Sequence, residues 1–181
     1  MSKPLSPSRF RALLTGLPML AGALVVVQLV LRGWALAGAW FWQDDFVYTH
    51  LARTLPAWDF VFSDYHGHLQ PGQFLLVRAL ARAAPLEWAP HAAVLLGLQL
   101  VADLLFLALL VELFGRRRAV LLPFSVFLFS PLTVPSLLWF AAAVQWLPLT
   151  ILSTVLLLLH VRMQRGAGRR TEVAALTVLV V

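Results

Sequence analysis

Two adjacent carboxylates, Asp44 and Asp45, are the first acids of the chain, and they stand just after a long apolar run that closes in Trp40-Phe41-Trp42. Neighbouring residues on a helix diverge by about 100°, so the two carboxylates cannot aim at one point. One can act as a general base while the other orients it or binds a divalent cation. Mutual repulsion favours a proton on one member of such a pair, which suits proton abstraction near neutral pH. A structural role competes with this chemistry. The residues from Phe46 onward predict a helix, and negative charge at its start is favoured by about 0.3–1 kcal/mol. Capping and catalysis are compatible, and both stay open at this point.

A second cluster is His66-Gly67-His68-Leu69-Gln70-Pro71-Gly72. Histidines two residues apart share a face only in an extended segment. No third ligand follows at a fixed spacing, so zinc is weakly supported. A tight turn is the plain alternative, and a hydrogen bond from His66 or His68 to a phosphate or sugar hydroxyl lies between the two. Asp59 and Asp64 just upstream read as solvated loop residues, with Asp64 a candidate helper. Arg53, Arg78 and Arg82 are the cations of the same stretch. They suit an anionic lipid head or phosphate, or else snorkel toward lipid phosphates.

The elements that must position these residues are membrane spans. The hydrophobic fraction is 61%, against about 45–50% in globular domains. Several apolar runs reach the roughly 20 residues that a helix needs to cross a bilayer core. The basic residues, which give a net charge of +6, sit in short clusters between those runs. They do not alternate with exposed aromatics as nucleic-acid binding would require, so nucleic acid is excluded as a partner and membrane lipids are expected. The absence of cysteine removes disulfides, thiolate metal sites and cysteine nucleophiles. Arginine outnumbers lysine thirteen to one, a bias of GC-rich bacterial genomes.

The predicted organisation is an all-α membrane protein. Residues 1–11 form a polar, basic tail, and 12–37 hold the first span. Ala35-Leu36-Ala37 imitates a signal-peptidase site, but the apolar run exceeds the usual 7–15 residues, so an anchor is expected. Residues 38–90 form a long loop carrying five of the eight acids. Two short surface helices are predicted within it. In the first, about 45–55, Phe46, Val47, Leu51 and Leu55 share a face; the second covers 73–84. Span two covers 91–114 and ends at the basic 115–118. Residues 119–161 suit two spans, with Pro131 and Pro135 bracketing the break and Trp139 to Trp146 marking the turn. A basic segment, 162–171, follows. Residues 172–181 start a fifth apolar run of ten residues, about 15 Å of helix and half a span, which predicts a piece of a longer protein.

Within span two, Asp103 lies mid-membrane with Gln99 one turn earlier. A carboxylate there costs about 2.5–3.5 kcal/mol and must face the protein interior, for helix packing or for function. Glu112 precedes Arg116 at i+4, a favourable pair near the membrane surface. Placing the N-terminus inside puts ten of the fourteen Lys and Arg residues on the inner side. Residues 38–90 then face outward, as expected for a multi-pass protein of a bacterial plasma membrane with a cytoplasmic N-terminus.

The order of these features resembles a known family. Trp42-Gln43-Asp44-Asp45-Phe46-x-Tyr48 after a first span looks like the first outer loop of GT-C glycosyltransferases. So does the sequel of surface helices and a His-Gly-His-x-x-Pro-Gly turn. Pro131-x-x-x-Pro135, Leu138-Trp139-Phe140-Ala141-Ala142-Ala143 and Gln145-Trp146-Leu147-Pro148 are similar to multi-spanning members from high-GC bacteria. The resemblance covers roughly residues 10–165. It implies a GT-C-like fold and transfer of a sugar from a polyprenyl-phosphate donor to a glycan, lipid or protein acceptor on the outer face. It further implies that an acid of the first loop, here Asp44 or Asp45, acts as base or as a metal and acceptor contact. Arg53, His66 or His68 would steady the departing phosphate. Family members carry more spans, so this piece alone is expected to be inactive. The competing expectation is a non-enzymatic transporter segment or assembly partner, in which Asp103 and Gln99 line a path.

Overall fold

The computed structural model describes residues 7–65 and 67–165, with side chains from residue 16 onward. The N-terminal residues 1–6, His66 and the whole of 166–181, including the predicted fifth span, lie outside the described residues. The fold is almost wholly helical. Helix α1 runs Pro7–Ala37, so helix begins inside the predicted tail. The loop then holds α2 (Asp44–Thr54), α3 (Ala57–Val61), a hairpin of β1 (Asp64–Tyr65) and β2 (His68–Leu69), and α4 (Pro71–Ala83). The long α5 (Trp88–Phe114) follows, then the short α6 (Leu121–Leu128) and α7 (Val134–Leu138), and finally α8 (Phe140–Gln164).

Among the described residues, four stretches are long and apolar enough to cross a membrane: Gly16–Ala37, Trp88–Phe114, Arg118–Leu138 and Phe140–Gln164. This is the arrangement of a multi-pass membrane protein. The third stretch is broken. After α6 the chain passes Phe129 and Ser130 into a 3-10 turn at Pro131–Thr133 before α7 resumes. Pro131 and Pro135 both stand in the first turn of a helical segment, where a missing N–H leaves no bond unmade. They therefore shape the third span rather than bracketing the reversal, which occurs at Trp139 alone. Trp146, the far limit expected of the turn, lies inside α8, nearly two helical turns from its start.

The core divides into two apolar clusters. One gathers Ala21, Val25, Leu110, Val120, Phe124 and Leu128 where α1, α5 and α6 meet. The other, at the end of the bundle that bears the loop helices, includes Leu36, Phe41, Tyr48, Phe60, Phe74, Leu95, Phe140 and Leu147. Phe41 is the hub of the second, with its ring edge-on to Trp88 at 5.1 Å, His91 at 4.8 Å and Phe140 at 6.1 Å. Trp88 in turn donates its indole N–H to the Leu36 carbonyl at 2.7 Å, tying the start of α5 to the end of α1. Leu36, part of the imitation cleavage motif, is thus a buried core residue.

The loop helices pack on each other, and this corrects the expected face of α2. Its buried residues are Asp45, Tyr48, Thr49 and Ala52, whereas Phe46 and Val47 are exposed. The reason is that α2 packs against α4, whose Gln73, Phe74, Val77, Leu80 and Ala81 form a regular helical stripe. A second correction concerns Glu112. Its carboxylate pairs with Arg165 at 3.0 Å and Arg162 at 3.6 Å, at the end of α8, rather than with Arg116, which lies past the end of α5. Helices α5 and α8 end side by side, so the cross-helix partners outcompete the local one.

Candidate functional site

The acidic pair splits into two unlike groups. Asp45 is fully buried. Its Oδ1 accepts the N–H of Ala141 at 2.7 Å, and its Oδ2 accepts the N–H of Trp42 at 2.8 Å. Ala141 stands in the first turn of α8, and Trp139, at that helix's N-cap position, makes no side-chain capping bond. Asp45 supplies the missing cap from a distant part of the chain, placing negative charge where the helix dipole is positive. Both acids do stand in the first turn of α2, as expected, and the side chain of Asp45 in addition caps α8. Gln73 completes the junction by donating Nε2–H to the Ala141 carbonyl at 3.1 Å. One residue is thus held through its N–H by α2 and through its carbonyl by α4. Burial pushes the Asp45 carboxyl up to about 6, opposed by the Trp42 and Ala141 N–H groups and assisted by the charge of Asp44.

Asp44 is only half-buried, and its Oδ1 accepts the hydroxyl proton of Tyr65 at 3.1 Å. The turn just before the pair is unusual: Gln43 adopts φ 38° and ψ −105°, outside the regions that side-chain-bearing residues prefer, and sets the entry into α2. The helical step of about 100° then leaves Asp44 half-exposed as Asp45 turns in. Tyr65 lies against Tyr48, ring centres 4.8 Å apart, and Tyr48 against Phe74 at 5.4 Å. Burial and the neighbouring Asp44 raise the Tyr65 hydroxyl above its ordinary value, so it stays a donor.

The hairpin brings in the histidine motif. Tyr65 is the cross-strand partner of His68, so their side chains are neighbours on one face of the ribbon. Gly67, at φ 80°, makes the tight turn that lets Tyr65 and His68 pair. Asp44 bonds the Tyr65 hydroxyl and exposed His68 stands across the ribbon from Tyr65, with Asp64 on the opposite face. His66 lies outside the described residues.

The arginines separate from this cluster. Arg53 is nine residues beyond Asp44 on α2. That spacing turns it to the opposite side of the helix and moves it roughly 13 Å along the axis. It lines a surface groove with Phe46, His50 and Leu86. Arg78 is committed elsewhere: its Nη1 donates to the carbonyls of Ala52 and Leu55 at 2.8 and 3.1 Å, capping the end of α2. Arg82 is exposed.

A divalent cation does not fit the described residues well. Both oxygens of Asp45 are taken by backbone N–H groups. No set of three or more His, Asp or Glu side chains converges among the described residues.

Tyr65 and Gln73 stand out in no motif of the sequence, and Arg32, near the end of the first span, shows there only as one more charge. Arg32 is buried, donating to Gln99 Oε1 at 2.9 Å, the Leu128 carbonyl at 3.3 Å and Thr133 Oγ1 at 2.8 Å. Gln99 passes the contact on, donating Nε2–H to Asp103 Oδ1 at 2.6 Å. The visible signal was a polar pair at i and i+4 on each of two apolar helices, Gln28 with Arg32 and Gln99 with Asp103.

No family model, curated protein or solved structure matches this chain.

Proposed function

We propose that this chain contributes the first spans and first loop of a membrane glycosyltransferase of GT-C type. It would move a sugar from a polyprenyl-phosphate donor to an acceptor on the outer face of a bacterial plasma membrane. The observation that carries the reading is the division of labour in the acidic pair: Asp45 is spent on α8, whereas Asp44 remains accessible and oriented by Tyr65. In this scheme Asp44 accepts the proton of the acceptor hydroxyl as its oxygen bonds to the anomeric carbon. The bond from that carbon to the carrier phosphate breaks, and the phosphate leaves with the electron pair. A phosphate needs no acid to depart, so activation of the hydroxyl is the remaining task. His68, beside Tyr65, is the better placed of the described phosphate contacts; Arg53 serves a different groove. The clustering of basic residues on the side away from the loop supports a cytoplasmic N-terminus.

The test is transfer of labelled sugar from a polyprenyl-phosphate donor by membranes carrying the full-length protein. Asp44→Asn should abolish transfer while leaving the protein folded, and Tyr65→Phe should lower it. Full activity in Asp44→Asn would remove the assignment. A second reading, a non-enzymatic transporter segment or assembly partner, is favoured by the buried polar groups shared between α1 and α5. Uptake or assembly lost in Asp103→Asn but intact in Asp44→Asn would select it.

A further inference from the structure

The polar groups between α1 and α5 are incompletely matched. Gln28 is 1% exposed and Asp103 is wholly buried. Yet neither amide atom of Gln28 has a hydrogen-bond partner, nor does Oδ2 of Asp103. Both residues lie within apolar spans, where an unmatched polar atom has no water to turn to and is strongly disfavoured.

The helix register brings the two together. Helices α1 and α5 pack antiparallel. Arg32 of one meets Gln99 of the other, while Trp88 meets Leu36 and Leu96 meets Gly33. Gln28 is one turn before Arg32, and Asp103 is one turn after Gln99. Because the helices run in opposite directions, both steps lead to the same level of the bundle.

We propose that Gln28 and Asp103 clasp bound water between spans one and two. The guest is defined by charge and by hydrogen-bond type. Arg32, acting through Gln99, already balances the Asp103 carboxylate, so a cation would leave excess charge in an apolar setting. The Asp103 oxygen and Gln28 Oε1 need donors, while Gln28 Nε2 needs an acceptor. Water offers both. One molecule that accepts from Nε2 and donates to Oδ2 leaves only Oε1 to a second. The result is a chain from the Leu128 carbonyl through Arg32, Gln99, Asp103 and water to Gln28, lying between the two apolar clusters. Spans one and two are thereby coupled through an exchangeable molecule. This assignment does not depend on the reading of Asp44.

The full chain in detergent micelles provides the test. Gln28→Leu should lower the unfolding midpoint by several degrees in the wild-type background and by clearly less in Asp103→Leu, because the bridge is already lost there. Equal shifts in both backgrounds would overturn the proposal. An infrared difference spectrum should also show a water O–H band that moves in heavy-oxygen water and disappears in Gln28→Leu. That measurement decides the matter if Asp103→Leu does not fold. A missing band, or density showing the Gln28 amide bonded directly to another protein group, would reject it.

Discussion

Asp45 and Asp103 are both buried carboxylates, but they are accommodated by opposite means. Asp45 is met by the backbone: two N–H groups, one of them in the first turn of α8. Asp103 is met by side chains: Gln99 directly, with Arg32 one step beyond. Backbone donors at a helix end are fixed once the helix forms and bring no full positive charge with them. A guanidinium must itself be desolvated, and it leaves a bare charge behind if its partner is lost. The loop junction therefore resembles a cap, whereas the interior pair is a mutual dependency.

The sharpest way to break the contrast is Arg32→Met. It strips Asp103 of its balancing charge and frees the Leu128 carbonyl and Thr133. Removing one side of a buried pair costs about 3–5 kcal/mol, which should appear as a large fall in denaturant midpoint in micelles. Arg32→Met with Asp103→Leu should recover much of that loss. At the junction, Asp45→Ala strands two N–H groups and should cost about 2–4 kcal/mol, with Asp45→Asn near half of that.

The pH response separates the two regions further. The folded-state pKa of Asp45 is raised from 3.8 to about 6, so the native protein holds this proton more tightly than the unfolded chain. Its contribution to stability is then full below about 3.8, declines as pH rises through about 6, and is constant above. Unfolding midpoints across that range should show the decline in wild type and lose that component in Asp45→Asn.

Smaller effects test the frame around the junction. Arg78→Met removes the cap on α2 and should cost about 1–2 kcal/mol, with faster hydrogen exchange at Leu55, whereas Arg82→Met should be neutral. Glu112→Gln should shift stability by less than about 1 kcal/mol, and the shift should shrink in high salt.

Long apolar runs made the spans legible in the sequence, because a bilayer core asks for length and little else. The loop helices were legible as elements, but the inward face of α2 was not. Its Phe46 and Val47 satisfy a surface pattern, while the buried side is set by packing on α4 and by a carboxylate bonded 96 residues away. No local pattern contains that partner. The same holds for Glu112, whose obvious neighbour at i+4 lost to Arg162 and Arg165 across the bundle. Asp44 was legible as a candidate, whereas Tyr65, which holds it, needed the hairpin register. Gln28 and Arg32 were readable as a pair only beside their mirror image on α5.

The backbone of Ala141, gripped by Asp45 at its N–H and by Gln73 at its carbonyl, also carries a timetable. Synthesis proceeds from the N-terminus, so the loop is made well before α8 exists. Until Phe140 and Ala141 appear, Asp45 has no helix end to accept and must remain hydrated. The junction is therefore a late clasp, closing a contact of high sequence separation whose loop entropy is met only when the fourth span arrives. Asp44 and its neighbours on the hairpin are held in their final setting only from that moment.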